Sequence, residues 1–403
     1  MHPMLKPALR RAWRERQSVQ FGVTPAHAVT VGPVDTTTGA LIELLDGTRG
    51  LPLLRQEGRA MGLPDGHVDA LVRRLAAAGL LDDPTAGGPA VDALRGRAGG
   101  GDRLRPDLAA LSVVHPEPGE PLRRLAARRA TRVRVSGAGR VGASVAALLS
   151  AAGVGRVEVL DGGCAEPWDV APGGLPEEAV GERREAAARR LVRRAAPIPP
   201  PRSAGAGAGG AAGGRGAAAG RPGGARAGVP GGGGEPGISL VVVCPRDGLA
   251  AYAPDPVTAA EWITTGTPHL YAGVIEATGM VGPLVLPGGT GCAGCLELRR
   301  AEEDPGWPRL LAQWRSGGRR TPVPACDIAL ATAVAGTAAA HALSFLDGEL
   351  PTSAGARWET SLPLLDWRSE RIAPHPRCAC GSSGKSEGHD TEGFGPPHET
   401  MAG

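Results

Sequence analysis

The stretch VRVSGAGRVGASVAALLSAAGVGRVEVLDGG, residues 133–163, constrains the fold more than any other part of the 403-residue chain. A β-branched run leads into a turn in which Gly137, Gly139 and Gly142 have the spacing G-x-G-x-x-G. An amphipathic helix and a second strand, which ends at Asp161, follow. This order is typical of a nucleotide-binding βαβ unit. It predicts an α/β fold with a doubly wound, mostly parallel sheet.

Each glycine of the turn has a predicted role. Gly137 allows the tight turn, Gly139 lets the backbone approach a phosphate, and Gly142 lets the helix pack closely on the strand. The start of the helix supplies free N–H donors and a favourable dipole. Asp161, placed to accept hydrogen bonds from ribose hydroxyls, completes the set. The pattern fits NAD and ATP equally, and glycines that serve packing alone would also produce it.

Two distant cysteine pairs predict a metal site. Cys292 and Cys295 have C-x-x-C spacing, and Cys378 and Cys380 have C-x-C spacing. Four thiolates complete a tetrahedron around Zn²⁺ and leave no position for substrate, which indicates a structural site. A redox dithiol and unligated thiols are the alternatives. Of the remaining cysteines, Cys244 lies in an apolar strand and is expected to be core. Cys164 and Cys326 lie in loop-like contexts where a thiol could act as a nucleophile, but neither has an obvious local base, which favours ordinary thiols.

Charge and hydropathy limit the classes of partner. The formal net charge of +3 is too small to indicate a nucleic-acid partner. The basic N-terminus lacks the apolar core of a secretory signal. The Ala-rich segment 327–346 contains Asp327 and His341, which favours a buried helix over a membrane span. We therefore expect a cytoplasmic protein with neither a nucleic-acid nor a membrane partner.

The chain divides into four predicted regions. Residues 1–83 have the order strand, three helices and a final Gly-Leu-Leu, which is winged-helix-like, although a simple helical cap would look the same. Residues 84–110 are a Gly- and Pro-containing linker, and residues 111–380 are the nucleotide-binding domain. Within that domain, residues 203–237 carry almost no large apolar side chain and are predicted to be a disordered insertion. The polar tail 381–403 is predicted to be disordered as well.

Residues 111–380 resemble the ThiF-type adenylyltransferases, which are relatives of the ubiquitin-activating enzymes. The glycine turn, the segments VGERREAAARRL and ISLVVVCP, and the Pro-Gly-x-Thr-x-Cys-x-x-Cys pattern before the late cysteine pair carry the resemblance. It implies that a C-terminal carboxylate of a small protein or peptide attacks the α-phosphate of ATP, with Mg²⁺ and basic groups neutralising the phosphates. It also implies a homodimer.

The resemblance assigns roles unevenly to individual residues. The three glycines and Asp161 fall on the family's nucleotide positions, and the four paired cysteines fall on its structural zinc positions. Arg184 falls where the family has a phosphate-binding Lys. The family's metal-binding Asp falls on Arg246, which leaves Asp247 as the candidate Mg²⁺ ligand. The family's Asn-Leu-x-Arg-Gln segment is GGLPEE here, at 173–178, without its Asn and Arg.

The N-terminal module resembles the PqqD-like leader-peptide recognition modules, which bind an extended peptide as an added strand. Three hypotheses follow. The chain is an ATP-dependent adenylyltransferase, a catalytically degenerate scaffold that captures a leader peptide for a partner enzyme, or an NAD-dependent dehydrogenase. Arg246 and residues 173–178 favour the scaffold, whereas the intact glycine turn and Asp161 favour nucleotide binding. No catalytic His or Lys constellation supports the dehydrogenase.

Overall fold

A computed structural model describes residues 1–95, 102–198, 237–316 and 323–382. The predicted insertion 203–237 lies outside these residues except for Gly237, and so does the tail beyond Ser382. The chain forms two compact units that interleave along the sequence. The first comprises Met1–Arg132, Leu149–Val157 and Arg193–Gly237, and the second comprises Val133–Leu148, Glu158–Val192 and Ile238–Gly403.

The N-terminal part of the first unit combines short antiparallel strands with three helices. The strands are β1 (Met4–Leu5), β2 (Arg11–Glu15), β3 (Ser18–Phe21), β4 (Val29–Val31) and β5 (Leu81–Asp82). The helices are α1 (Thr36–Glu43), α2 (Leu51–Ala60) and α3 (His67–Ala77). β2, β3 and β4 form one sheet and β1 pairs with β5. The three helices were predicted from their apolar spacing, but β2 was not, because its five residues are all exposed and show no burial alternation.

The stretch expected to be a linker is partly helical. It contains α4 (Pro89–Arg95), a short 3₁₀ turn and the start of α5 (Arg105–Val114), and α6 (Glu120–Ala130) follows. Leu104 is buried in a cluster with Leu125 and Ile198. Leu104 and Val91, both buried, lie thirteen residues apart in a Gly- and Pro-containing stretch, so they form no periodic pattern that predicts a core contribution.

A seven-stranded sheet forms the second unit's centre. Its strands are β6 (Arg132–Ser136), β7 (Arg156–Leu160), β8 (Leu240–Val243), β9 (His269–Ile275), β10 (Thr278–Val285), β11 (Ala356–Ser361) and β12 (Arg368–Arg371). The order is β12-β11-β10-β9-β8-β6-β7. β6, β8 and β9 run parallel, and β10, β11 and β12 continue the sheet as antiparallel neighbours. The predicted doubly wound α/β fold with a small N-terminal domain is confirmed.

Seven helices accompany this sheet among the described residues. They are α7 (Arg140–Ala151), α8 (Arg184–Ala195), α9 (Leu249–Tyr252), α10 (Pro256–Thr265), α11 (Ala293–Glu303), α12 (Trp307–Ser316) and α13 (Ile328–Leu346). α13 is long and apolar enough to cross a membrane. Its buried residues, among them Leu330, Val334 and Ala338, lie on a helix that packs against β9 and β10, as expected for a core helix of this sheet.

Candidate nucleotide and zinc sites

The glycine turn follows β6 at the carboxyl edge of the parallel strands. Gly137 has φ +101°, and a Cβ there would lie 1.9 Å from the carbonyl oxygen of Cys244, so no other residue fits. A Cβ on Gly142 would lie 2.1 Å from the carbonyl oxygen of Gly137. Gly139 differs, because its Cβ would first meet the side chain of Arg246, at 3.4 Å. Gly137 and Gly142 are therefore required by the close packing of the backbone around the turn, whereas Gly139 leaves room in front of the turn.

Asp161 holds this turn in place. Its carboxylate accepts hydrogen bonds from the backbone N–H of Ala138 and of Gly163, both at 2.9 Å. Arg184 donates to the same carboxylate from Nε, also at 2.9 Å. Asp161, predicted to accept from ribose hydroxyls, is thus engaged within the fold, and in this conformation its carboxylate fixes the backbone of the turn.

A chain of alternating charges extends from Asp161 across the site. Arg184 also pairs with Asp169, whose side chain is 3% exposed, at 3.3 Å. The other oxygen of Asp169 accepts from Nε of Arg246 at 2.8 Å. Arg246 in turn pairs with Glu166. Sequence reasoning missed both Asp169 and Glu166, because the contact with Arg246 spans 77 residues and follows no local motif.

A small cleft of about 60 Å³ opens in front of Gly139. Arg140, Arg246, Asp169 and Cys326 are among the residues that line it. Arg140 donates to the carbonyl oxygen of Cys326 at 2.7 Å. The cleft thus has two guanidinium groups and one carboxylate that is already paired, which suits an anionic ligand. Pockets for drug-sized ligands hold roughly 300–1,000 Å³, so in this conformation the cleft is smaller than a nucleotide.

The predicted phosphate and metal residues lie apart from this cleft. Arg184 is not among its described lining residues; its guanidinium is buried between Asp161 and Asp169. Asp247 accepts from the backbone N–H of Leu249 at 3.0 Å and lines a different cavity. Mg²⁺ prefers oxygen ligands, mainly carboxylates and water. The one carboxylate among the described lining residues of the cleft is Asp169, which two arginines neutralise, so the residues present do not fit Mg²⁺ there.

The four paired cysteines converge at one point. Their sulfur atoms all lie within 4.8 Å of one another. Cys292 lies 3.8 Å from Cys295 and 3.6 Å from Cys378, and Cys295 lies 3.6 Å from Cys380, all measured between Sγ atoms. A tetrahedral zinc site with Zn–S bonds of about 2.3 Å has sulfur–sulfur edges of about 3.8 Å. The cluster therefore fits Zn²⁺ in the closed, structural geometry that the spacing predicted.

Within the cysteine cluster, the electrostatics favour a thiolate at Cys295. The hydrogen bond from Cys292 lowers the pKa of the Cys295 thiol to about 4. The same hydrogen bond, together with burial, raises the pKa of Cys292. Cys292 thus keeps its proton and donates it to the Cys295 thiolate, and a divalent cation that binds the cluster would displace that proton.

Two of the other cysteines have a raised pKa. Burial raises the pKa of Cys244 to about 12, as expected for a core residue of the sheet. Burial also raises the pKa of Cys326. Cys164 is exposed. A reactive thiol requires a lowered pKa, so neither Cys244 nor Cys326 is placed to act as a nucleophile.

A model of the ThiF family matches residues 114–198 and 249–381, which is more than half of the chain. The protein therefore belongs to the ThiF family. The match does not include residues 1–83, so the PqqD-like character of the N-terminal module stays a prediction. No curated protein matches the sequence.

Solved structures share the fold at low sequence identity. A crystal structure of E. coli MccB with succinimide has a TM-score of 0.63 and 14% identity, covering 94% of this chain and 99% of MccB. A structure of E. coli MccB with ATP has a TM-score of 0.62 and 13% identity, with the same coverage. A structure of PaaA has a TM-score of 0.62 and 13% identity, covering 92% of this chain and all of PaaA.

Proposed function

We propose that this protein binds ATP in the cleft at the glycine turn and adenylates the C-terminal carboxylate of a peptide or small protein. The observation that carries the proposal is the turn itself. Gly139 lines a small cleft together with Arg140 and Arg246, in a chain of the ThiF family. MccB, which shares the fold, has been solved both with ATP and with the peptide MccA.

The chemistry needs positive charge more than it needs a nucleophile on the protein. A carboxylate oxygen of the substrate attacks the α-phosphorus of ATP, and the bond from that phosphorus to the bridging oxygen of pyrophosphate breaks. Pyrophosphate leaves with the electron pair, and an acyl-adenylate forms. Arg140 and Arg246 can neutralise the charge on the phosphates, and the N-terminus of α7 adds its N–H donors and dipole.

Binding requires Arg246 to exchange partners. In the structure it pairs with Asp169 and Glu166 and lies against Gly139. Charge-assisted hydrogen bonds to phosphate oxygens are of the same kind as those to carboxylates. The rearrangement therefore replaces one set of anionic partners by another and opens the space that a nucleotide needs.

The four cysteines are proposed to hold one structural Zn²⁺. Cytoplasmic location and a homodimer complete the proposal; both come from the resemblance and the composition. The N-terminal module, residues 1–83, is proposed to recognise part of the peptide substrate. An exposed strand such as β2 offers the edge that an added peptide strand would use.

A second function has its own support. The only described carboxylate of the cleft is doubly paired, and residues 173–178 lack the polar and cationic side chains that the family has there. A catalytically degenerate scaffold that captures a leader peptide would have the same fold and would not need to consume ATP.

ATP–pyrophosphate exchange separates the two functions. Purified protein is incubated with ATP, labelled pyrophosphate and candidate peptides with free C-termini, and the same peptides with amidated C-termini are the matched control. The enzyme proposal expects exchange with a free carboxylate and none with the amide. ATP binding without exchange on any free carboxylate would favour the scaffold.

A further inference from the structure

A second cavity, here called the acidic cavity, lies beside the nucleotide cleft. Its volume is about 550 Å³, and three of its lining residues are carboxylates: Asp247, Glu276 and Glu359. None of its described lining residues is a lysine or arginine. Its remaining walls include the aromatic rings of Tyr252, Trp307 and Trp314.

The acidic cavity is adjacent to the cleft along the sheet edge. Arg246 lines the cleft and the next residue, Asp247, lines the acidic cavity. Two consecutive residues of β9 are divided in the same way, since Val274 lines the cleft and Ile275 lines the acidic cavity. β8 and β9 are parallel, so both positions lie at their carboxyl ends, where α/β sheets bind ligands.

Among the residues that the structure describes, two of the three carboxylates have no cationic partner. Glu359 pairs with Arg357 at 2.6 Å. Asp247 accepts only the backbone N–H of Leu249 among its described contacts, and Glu276 has no ion pair within the described ranges. A ligand that enters the cavity thus meets two negative charges that the described part of the fold leaves unneutralised.

The aromatic wall already binds guanidinium groups. The guanidinium carbon of Arg300 lies 4.2 Å from the ring centre of Tyr252 and 4.8 Å from that of Trp307. Trp314 lies edge to face with Trp307, at 5.7 Å between ring centres, and is 51% exposed. It has no cation over its ring among the described residues. A cation attracted by Asp247 and Glu276 would therefore find an open aromatic face.

We propose that the acidic cavity binds a cationic side chain, of the lysine or arginine type, on the peptide whose carboxylate is activated in the neighbouring cleft. The assignment of the cation to a substrate peptide rests on the proposed function. Binding of the cation to the cavity does not, because it uses no nucleotide and no reaction.

The test uses a probe that cannot be adenylated. N-acetyl-arginine amide carries one positive charge and no carboxylate, and N-acetyl-citrulline amide is its neutral isostere. Both are titrated into the full chain without ATP, and binding is measured by calorimetry and by the change in tryptophan fluorescence. The arginine probe is expected to bind at least tenfold more tightly than the citrulline probe. Equal affinities, or no detectable binding of the arginine probe up to 10 mM (about 2.7 kcal/mol of binding free energy), would overturn the proposal.

Three variants locate the binding. The affinity for the arginine probe is expected to fall about three- to tenfold in each of Glu276→Gln, Asp247→Asn and Trp314→Leu. Asp366→Asn, which removes an exposed charge outside the lining of the cavity, is the matched control and should leave the affinity unchanged. Affinities that do not change in the first three variants would place the probe elsewhere and refute the proposal.

The outcome is separable from that of the proposed function. If the arginine probe binds but no peptide supports pyrophosphate exchange, the acidic cavity is a cation site and the adenylation proposal fails alone. If exchange occurs but arginine and citrulline probes bind equally, only the cavity proposal fails.

Discussion

At the scale of single residues, the glycine turn gives a sharp test because its three glycines have different surroundings. Gly139→Ala fits the backbone, since its Cβ would be 3.4 Å from Arg246, and the helix cap loses less than about 1 kcal/mol. The added methyl group occupies the side of the turn that the proposed phosphates would approach. We expect ATP affinity, measured by calorimetry, to fall at least tenfold with little change in melting temperature.

Two controls bracket this prediction. Gly336→Ala, in the exposed and open middle of α13, should leave ATP affinity unchanged and raise stability slightly. Gly137→Ala places a Cβ 1.9 Å from a carbonyl oxygen at φ +101° and should prevent normal folding. Unchanged ATP affinity in Gly139→Ala would contradict a nucleotide at this turn.

The two anionic partners of Arg246 should contribute unequally to stability. Asp169→Asn removes a carboxylate that is 3% exposed and leaves two arginines with fewer partners. We expect the free energy of unfolding to fall by about 3 kcal/mol, as for a broken buried ion pair. Glu166→Gln removes a partner that is 41% exposed and should cost less than about 1 kcal/mol. Urea unfolding of both variants measures the difference, and equal losses would contradict the buried network.

Sequence reasoning found the residues of local motifs and missed those joined across the fold. The glycine turn and Asp161 lie together because one βαβ unit joins them, as the backbone N–H of Ala138 that donates to Asp161 shows. Arg184 was found by its alignment with a family position, but its partner Asp169 was not. Nothing in EPWD, residues 166–169, shows that two arginines will enclose it. Asp247 was chosen because it follows Arg246, which stands at the family's metal-binding position, but it lines the neighbouring acidic cavity.

At the scale of secondary-structure elements, α13 depends on its N-cap. Asp327 accepts from the backbone N–H groups of Ala329 at 2.9 Å and Leu330 at 3.1 Å. Asp327→Ala should lower the free energy of unfolding by about 1 kcal/mol, whereas Asp327→Asn keeps the cap and should cost only a few tenths. Chemical denaturation of the two variants tests the difference. Identical stabilities would show that the cap contributes nothing.

Elements with a periodic apolar pattern were predictable, and elements without one were not. α3 shows Val68, Leu71, Val72 and Leu75 at helical spacing, and all four are buried. β2, which is exposed throughout, has no such pattern and forms because β3 pairs with it. The seven-stranded order likewise follows from pairing between distant strands, and a sequence alone does not specify which strands become neighbours.

At the scale of the whole molecule, buried histidines make stability depend on pH. His269 is fully buried in β9, and burial lowers its pKa below the ordinary value of 6.5. The unfolded chain therefore binds a proton that the folded chain does not, so stability is complete above pH 6.5 and falls as the pH drops towards the lowered pKa. The slope of the loss is at most about 1.4 kcal/mol per pH unit for each such group.

A variant isolates the contribution of His269. Urea unfolding at pH 7.5 and pH 5.5 should show a smaller loss of stability in His269→Phe than in the unchanged protein. Burial also lowers the pKa of His341, so the variant should still lose some stability as the pH falls. If His269→Phe and the unchanged protein lost the same free energy of unfolding between the two pH values, His269 would not contribute to the pH dependence of stability.

Removal of the proposed zinc should destabilise the second unit. Cys295 and Cys380 are 85 residues apart in sequence, so a metal that joins them restricts the unfolded chain much as a cross-link does, an effect of about 4–5 kcal/mol for a loop of this length. We expect about one zinc per chain by elemental analysis, and a melting temperature several degrees lower after treatment with a chelator. Cys380→Ser should reproduce the loss. Less than about half an equivalent of zinc in freshly purified protein would contradict a four-thiolate site.

The position of α11 joins the cysteine cluster to the acidic cavity. Cys292 caps the helix, Cys295 lies in its first turn, and Arg300 further along stacks on Tyr252 and Trp307. A metal that fixes the start of this helix thus also fixes the aromatic wall. Thermodynamic linkage makes that influence mutual: zinc should tighten the binding of a cationic ligand, and the ligand should slow the loss of zinc by the same free energy of coupling.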